Sequence, residues 1–143
     1  MKKYSFILLF VALLGLSSGC VNQLKSDIAS GTDLGTIKKY YVVRLPADKR
    51  GVEKLIADRL NLMGKQATFG EKSAMPADAE AIVTYQDKWM WDITMYMIQL
   101  DVQLRKPQSE IAVANGHAMH SSLVRKSPPE MVEEVLADIF KKR

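Results

Sequence analysis

A single cysteine, Cys20, and only two histidines, His117 and His120, occur in the chain. One thiol cannot close an internal disulfide, so the fold must rest on its core. The two histidines are three positions apart. On a strand they point to opposite faces and cannot share one site without a bulge. No serine sits in a nucleophile-elbow pattern. No triad or acid/base carboxylate pair can be placed from the residues present, so enzymatic activity is not expected. Lysines and arginines do not cluster with interleaved aromatics, and nucleic acid is not expected as a partner. The apolar run from Phe6 to Leu16 falls short of the roughly 20 residues that cross a bilayer core about 30 Å thick.

What that run does have is the flanks of a secretory signal. Lys2 and Lys3 precede it, and the small residues Ser17, Ser18 and Gly19 close it. Residues 1–19 are read as a signal peptide, which leaves 124 of the 143 residues in the mature chain. That length supports one domain with a single core. Of 20 Lys and Arg, two leave with the signal, so 18 face 16 acidic residues and the mature domain is nearly neutral.

The stretch Leu16-Ser17-Ser18-Gly19-Cys20 resembles the lipobox of bacterial lipoproteins. That family usually has Leu three residues before the cysteine, where this chain has Ser17. The resemblance implies a diacylglycerol thioether on Cys20, cleavage before it and acylation of the new amino group, usually with palmitate. Each buried methylene contributes about 0.8 kcal/mol, and two chains already anchor stably. Val21 stands where an Asp would commonly retain the product in the inner membrane, so the family pattern implies the outer membrane, facing the periplasm. Residues 20–36 are small and polar with no sustained period, and are read as a lipidated flexible tether spanning roughly 20 Å.

A single domain is expected over residues 37–143. Tyr40-Tyr41-Val42-Val43 is rich in β-formers and stops before Pro46. Val52, Leu55, Ile56, Leu60 and Met63 recur at helical spacing, with Asp48 as a cap and Gly64 as a stop. Gln66 to Phe69 suits a short strand, and residues 70–78 a loop. Ser127-Pro128-Pro129-Glu130 forms a capping box ahead of a stripe from Met131 to Phe140, and Lys141, Lys142 and Arg143 suit the negative helix end.

The strongest fold signal spans residues 81–105. Ala81, Val83, Tyr85, Trp89 and Trp91 alternate along its first half, and Tyr96, Ile98, Leu100, Val102 and Leu104 along its second. A turn centred on Asp92-Ile93 would set Trp89 beside Tyr96, Tyr85 beside Leu100 and Met90 across from Met95, with both apolar rows on one side. Ile111 to His120 adds a strand whose small alternate residues suit a face crowded by a helix. The predicted fold is α+β: a two-layer α/β sandwich, order β-α-β-β-β-β-α, with two helices on one face of a mostly antiparallel sheet.

Tyr85, Asp87, Trp89 and Trp91 share one face. They form either a core aromatic row with Asp87 satisfied by an indole, a phenol or a helix N-terminus, or a carboxylate in an aromatic cleft for a sugar, peptide or lipid. Met90, Met95 and Met97 are expected on the opposite, uncovered face, where methionines adapt to partner surfaces and thioethers also suit Cu(I). Tyr85, Asp87, Trp89, Trp91 and Asp92 match a Tyr-x-Asp-x-Trp-x-Trp-Asp pattern, and the segment from about Tyr40 to the last helix resembles a family of small proteobacterial outer-membrane lipoproteins. That family implies location and a small α/β sandwich, and no catalytic residue or cofactor. The expectation is a non-enzymatic, outer-membrane-anchored envelope accessory module that binds another envelope protein or itself. A small-ligand binder and a Cu(I) site are the alternatives.

Overall fold

The computed structural model describes residues 22–141. The expected signal peptide, Cys20, Val21, Lys142 and Arg143 lie outside the described residues. Six strands and two helices follow in the order β1 (Gln23–Ile28), β2 (Lys39–Val43), α1 (Val52–Leu62), β3 (Gln66–Gly70), β4 (Ala81–Asp92), β5 (Thr94–Arg105), β6 (Ala112–Met119) and α2 (Pro128–Lys141). They form one sheet in the order β1-β6-β5-β4-β2-β3. Both helices pack on one of its faces, so the class is α+β.

Two expectations about the architecture are corrected. The sheet is mixed: β2 pairs in parallel with both β3 and β4, and the remaining pairs are antiparallel. The cause is the β2-α1-β3 unit, because a crossover helix returns the chain to the starting end of its first strand. Residues 71–80 then carry the chain back over β2 to β4. The Tyr41 hydroxyl donates to the Glu71 carbonyl at 2.9 Å, which places this crossover on the face opposite the helices. The second correction concerns the tether. Residues 23–28 form β1, paired along β6 from Gln23↔Met119 to Ile28↔Ala114. Ser26 faces the core, with its hydroxyl 2.6 Å from the Asp138 carboxylate. A strand so short and polar leaves no periodic signal, yet β6 needs a partner on its open edge.

The core lies between sheet and helices. Val52, Ile56 and Leu60 of α1 meet Met131, Val135, Leu136 and Ile139 of α2 over Tyr40, Val83, Leu100, Val102 and Leu104, all buried. Asp48 Oδ2 accepts the Val52 N–H at 2.7 Å at the start of α1, and Gly64 (φ 79°) follows its end in the left-handed conformation. The Glu130 carboxylate accepts the Ser127 N–H at 2.7 Å and opens α2. Gly116 is where α2 approaches most closely: a Cβ there would lie 2.6 Å from Ile139 Cδ1 and 2.8 Å from Val135 Cγ1.

The β4–β5 register also departs from expectation. Asp92 pairs with Thr94 about Ile93, and Trp91↔Met95, Met90↔Tyr96 and Trp89↔Met97 follow. The register then shifts, Lys88 pairing with Gln99 and Tyr85 with Val102, so Ile98 is an extra residue on β5. Trp89 and Tyr96 therefore lie on opposite faces. Met97 is in the core at 1% exposure, and Met95 shares the helix-side face with Trp91. Only Met90 of the three methionines is on the uncovered face. The physical reason is the bulge, which inverts the facing of every residue beyond it.

Candidate interaction surface

β4, β5, β6 and β1 leave one face bare of helices. Across it run Thr84, Gln86 and Lys88 of β4, Gln99, Asp101 and Gln103 of β5, His117 of β6, and Lys25 and Asp27 of β1, by strand alternation and register. Their polar groups hold one another. Asp101 takes the Gln99 side-chain N–H at 2.6 Å on one oxygen and lies 2.6 Å from His117 Nδ1 on the other. Asn115 donates to Asp27 at 2.8 Å. Arg105 donates to Thr84 Oγ1 at 3.2 Å and to the Glu110 carbonyl at 2.9 Å, and also reaches Gln103. Arg105, Gln103 and Asp101 line a groove of about 560 Å³ where Val43 to Pro46 peels away from β4.

Toward the other end the same face turns apolar. Met90, Tyr96, Ile98 and Met119 line a hollow of about 260 Å³ bordered by Ser121 and Ser122. Arg125 stacks over the Tyr96 ring at 4.0 Å and pairs with Asp92 at 2.7 Å. Beyond this hollow β4 and β5 continue as a two-stranded ribbon, because β2 pairs only as far as Val83 and β6 only as far as Gln99. Trp91 is 71% and Ile93 88% exposed at its tip.

The candidates Tyr85, Asp87, Trp89 and Trp91 share the helix-side face but sit at three depths. Tyr85 is buried, its hydroxyl donating to Asp48 at 2.7 Å and accepting the Leu45 N–H at 3.2 Å. Burial, with Asp48 and Glu53 adding to it, pushes the Tyr85 phenol well above its ordinary range. Burial pushes the Asp48 carboxyl up, but hydrogen bonds from Arg50, Tyr85 and Val52 outweigh it and hold the group below the usual carboxylate range. Asp87 and Trp89 are half-buried, and the Trp89 indole N–H donates to Asp87 beneath the Arg50 guanidinium, which lies 4.4 Å over its ring. Trp91 stands apart from all three at the tip.

His117 and His120 serve opposite sides. His117 belongs to the bare face, whereas His120 is buried against α2, its Nε2 2.6 Å from Glu134. Burial of Glu134 opposes its ionisation, but Lys126 and His120 prevail and keep it below the usual carboxylate range. Among the described residues no group of three or more His, Cys, Asp or Glu could hold a metal. Met90, Met95 and Met97 do not converge either. No described helix is long and apolar enough to cross a membrane.

Sequence reasoning passed over Ile93, Leu123 and Val124. Ile93 holds φ 59°, and a β-branched side chain is costly in that left-handed region. An isoleucine at the centre of a turn, where Gly, Asn or Asp is usual, was the available signal. Leu123 and Val124 lie in the loop after β6 and are exposed.

No family model matches the chain, and no match is found among curated proteins. Among solved structures the chain is similar to PelC, a dodecamer from Paraburkholderia phytofirmans, at 12% identity over 83% of this chain and 98% of that one, with a TM-score of 0.60. A single-substitution PelC variant, also a dodecamer, gives 12% identity over 86% and 100% of the two chains and a TM-score of 0.61. A PDZ domain protein from Parabacteroides distasonis is 9% identical, with 81% of this chain matched to 34% of that one and a TM-score of 0.52. At such identities the likeness is one of fold.

Proposed function

We propose that the chain is a non-enzymatic accessory lipoprotein of the cell envelope. It is held through acylated Cys20 at the periplasmic face of the outer membrane and offers the bare face of β4, β5, β6 and β1 to another envelope protein. The observation that carries this reading is the bare face itself. It is broad, and its polar groups are held in fixed pairs such as Asp101–His117 and Asn115–Asp27. Such preorganised groups lose little side-chain freedom when a partner docks. The lipobox-like stretch before Cys20 supports the anchor, and Val21 supports the outer membrane. The aromatic-cleft alternative has less support, since Tyr85 is buried in its own hydrogen bonds and Trp91 stands apart from it.

Self-assembly is a second reading of the same surface, favoured by both PelC structures being dodecamers. A photoreactive residue at Gln86, exposed on the bare face, separates the possibilities in living cells. A discrete adduct with another envelope protein is expected. An adduct of two copies of this chain would favour self-assembly, and no adduct beyond that from Leu62, exposed on α1, would reject the face as an interface. Labelled palmitate entering the wild-type product and not the Cys20→Ser variant tests the anchor.

A further inference from the structure

We propose that the β4–β5 tip, led by Trp91 and Ile93, is a second membrane contact that sits in the headgroup and upper acyl region of the bilayer carrying the anchor. This inference rests on the proposed acylation of Cys20 and goes beyond it. Gln23, Met119, Gln99 and Lys88 pair in succession and form one line across four strands. Neighbouring strands are about 4.8 Å apart, so β1 and β4 are separated by roughly 14 Å along that line. The chain before β1 leaves the sheet on the ribbon's side of the line, because β1 runs from Gln23 away from it. Asn22 marks that exit, its side-chain oxygen accepting the Ser121 N–H at 3.1 Å. From Gln23 back to Cys20 the chain reaches at most about 11 Å. Trp89 to Asp92 carries the ribbon about 13 Å past the same line. That reach is enough to bring acyl chains on Cys20 to the height of the ribbon tip.

The chemistry at that height is that of a bilayer boundary. Trp91 and Ile93 are flanked by half-exposed Met90 and Met95, with exposed Leu123 and Val124 in the loop that Arg125 ties to Asp92. Tryptophan suits the headgroup level, where one side of its ring is wet and the other apolar. Ile93 holds a backbone conformation that glycine or asparagine would adopt freely, while its side chain is among the most exposed apolar groups of the described residues. An apolar side chain kept on a strained turn in full contact with water gains nothing for the fold, and backbone strain of this kind clusters at functional sites. In a bilayer the side chain is no longer exposed to water.

In the anchored protein the Cys20 thiol is taken up by the thioether, so Ile93→Cys supplies the sole free thiol for an environment-sensitive fluorophore. Ser109→Cys, in the turn after β5, gives a control beyond the opposite end of the sheet. Both are prepared as the lipidated protein in phosphatidylethanolamine–phosphatidylglycerol vesicles whose acyl chains carry bromine. The label at position 93 is expected to shift to the blue and lose about half or more of its emission to bromine, with neither change at position 109. Vesicle-bound protein with an unquenched label at 93 overturns the tip contact and leaves the anchor standing. A blue shift without bromine quenching places the tip against protein, and also overturns it. A product whose Cys20 remains a free thiol and which does not bind vesicles fails the anchoring reading, and the inference with it.

Discussion

Trp89 stands opposite Met97, not Tyr96, because β4 and β5 turn about Ile93 alone, and Ile98 follows as an extra residue in β5. That one residue moves Met97 into the core and leaves Met95 half-exposed beside Trp91. Met97→Ala is expected to lower stability by about 2–4 kcal/mol, the usual cost of truncating a buried methionine. Met95→Ala should stay within about 0.5 kcal/mol, as at other surface positions. Urea unfolding of both variants checks the register, and equal effects would contradict it.

The fold class, both helices and five of the six strands can be read from periodicity, capping residues and turn chemistry. Two features cannot. β1 is too short and polar to show alternation, and its stability comes from β6 and from Ser26 meeting Asp138, a contact between residues at opposite ends of the chain. The bulge at Ile98 is invisible because both of its flanks alternate correctly, and only the join changes phase. The parallel pairing of β2 was legible in principle, since a helix between two strands is the mark of a crossover unit. At the candidate surface, the facing of Gln99 and Asp101 was readable from alternation, whereas Ile93 was masked by treating a turn as mere connection.

Gly116 has no room for a methyl group, its would-be Cβ meeting Ile139 and Val135 at under 3 Å. Gly116→Ala should destabilise by about 1–3 kcal/mol through overpacking. Adding Val135→Ala should recover part of that loss. A double-mutant cycle by thermal or urea denaturation reads the coupling, and strict additivity would argue against the close approach of α2 to β6.

Asp48 accepts hydrogen bonds from Arg50, Val52 and Tyr85 and is held below the usual carboxylate range. A group whose folded value is depressed contributes stability above its unfolded value, about 3.9, and loses it as pH falls through the folded value. Stability should therefore decline on acidification below about pH 4. Asp48→Asn should cost about 1 kcal/mol at pH 7 and flatten that decline. Urea midpoints from pH 7 to 3 test this, and parallel curves for the two proteins would exclude Asp48 as a source of the acid sensitivity.

Deleting residues 22–28 would uncover the edge of β6 and strand Asp138 without Ser26. A fall in Tm on the order of 10 °C, with concentration-dependent aggregation, is expected. Unchanged melting would show that these residues do not belong to the folded body.

The placement of β1 also has a mechanical side. Its six register pairs with β6 run parallel to the direction in which a pull on the amino-terminal end would act, and antiparallel hydrogen bonds lie perpendicular to their strands. Such a pull loads the whole ladder at once in shear, whereas a sideways pull would break its pairs one after another. The edge strand thus acts as a clasp: drag on the body tightens against every rung together, and the domain resists being stripped from whatever holds its leading residue.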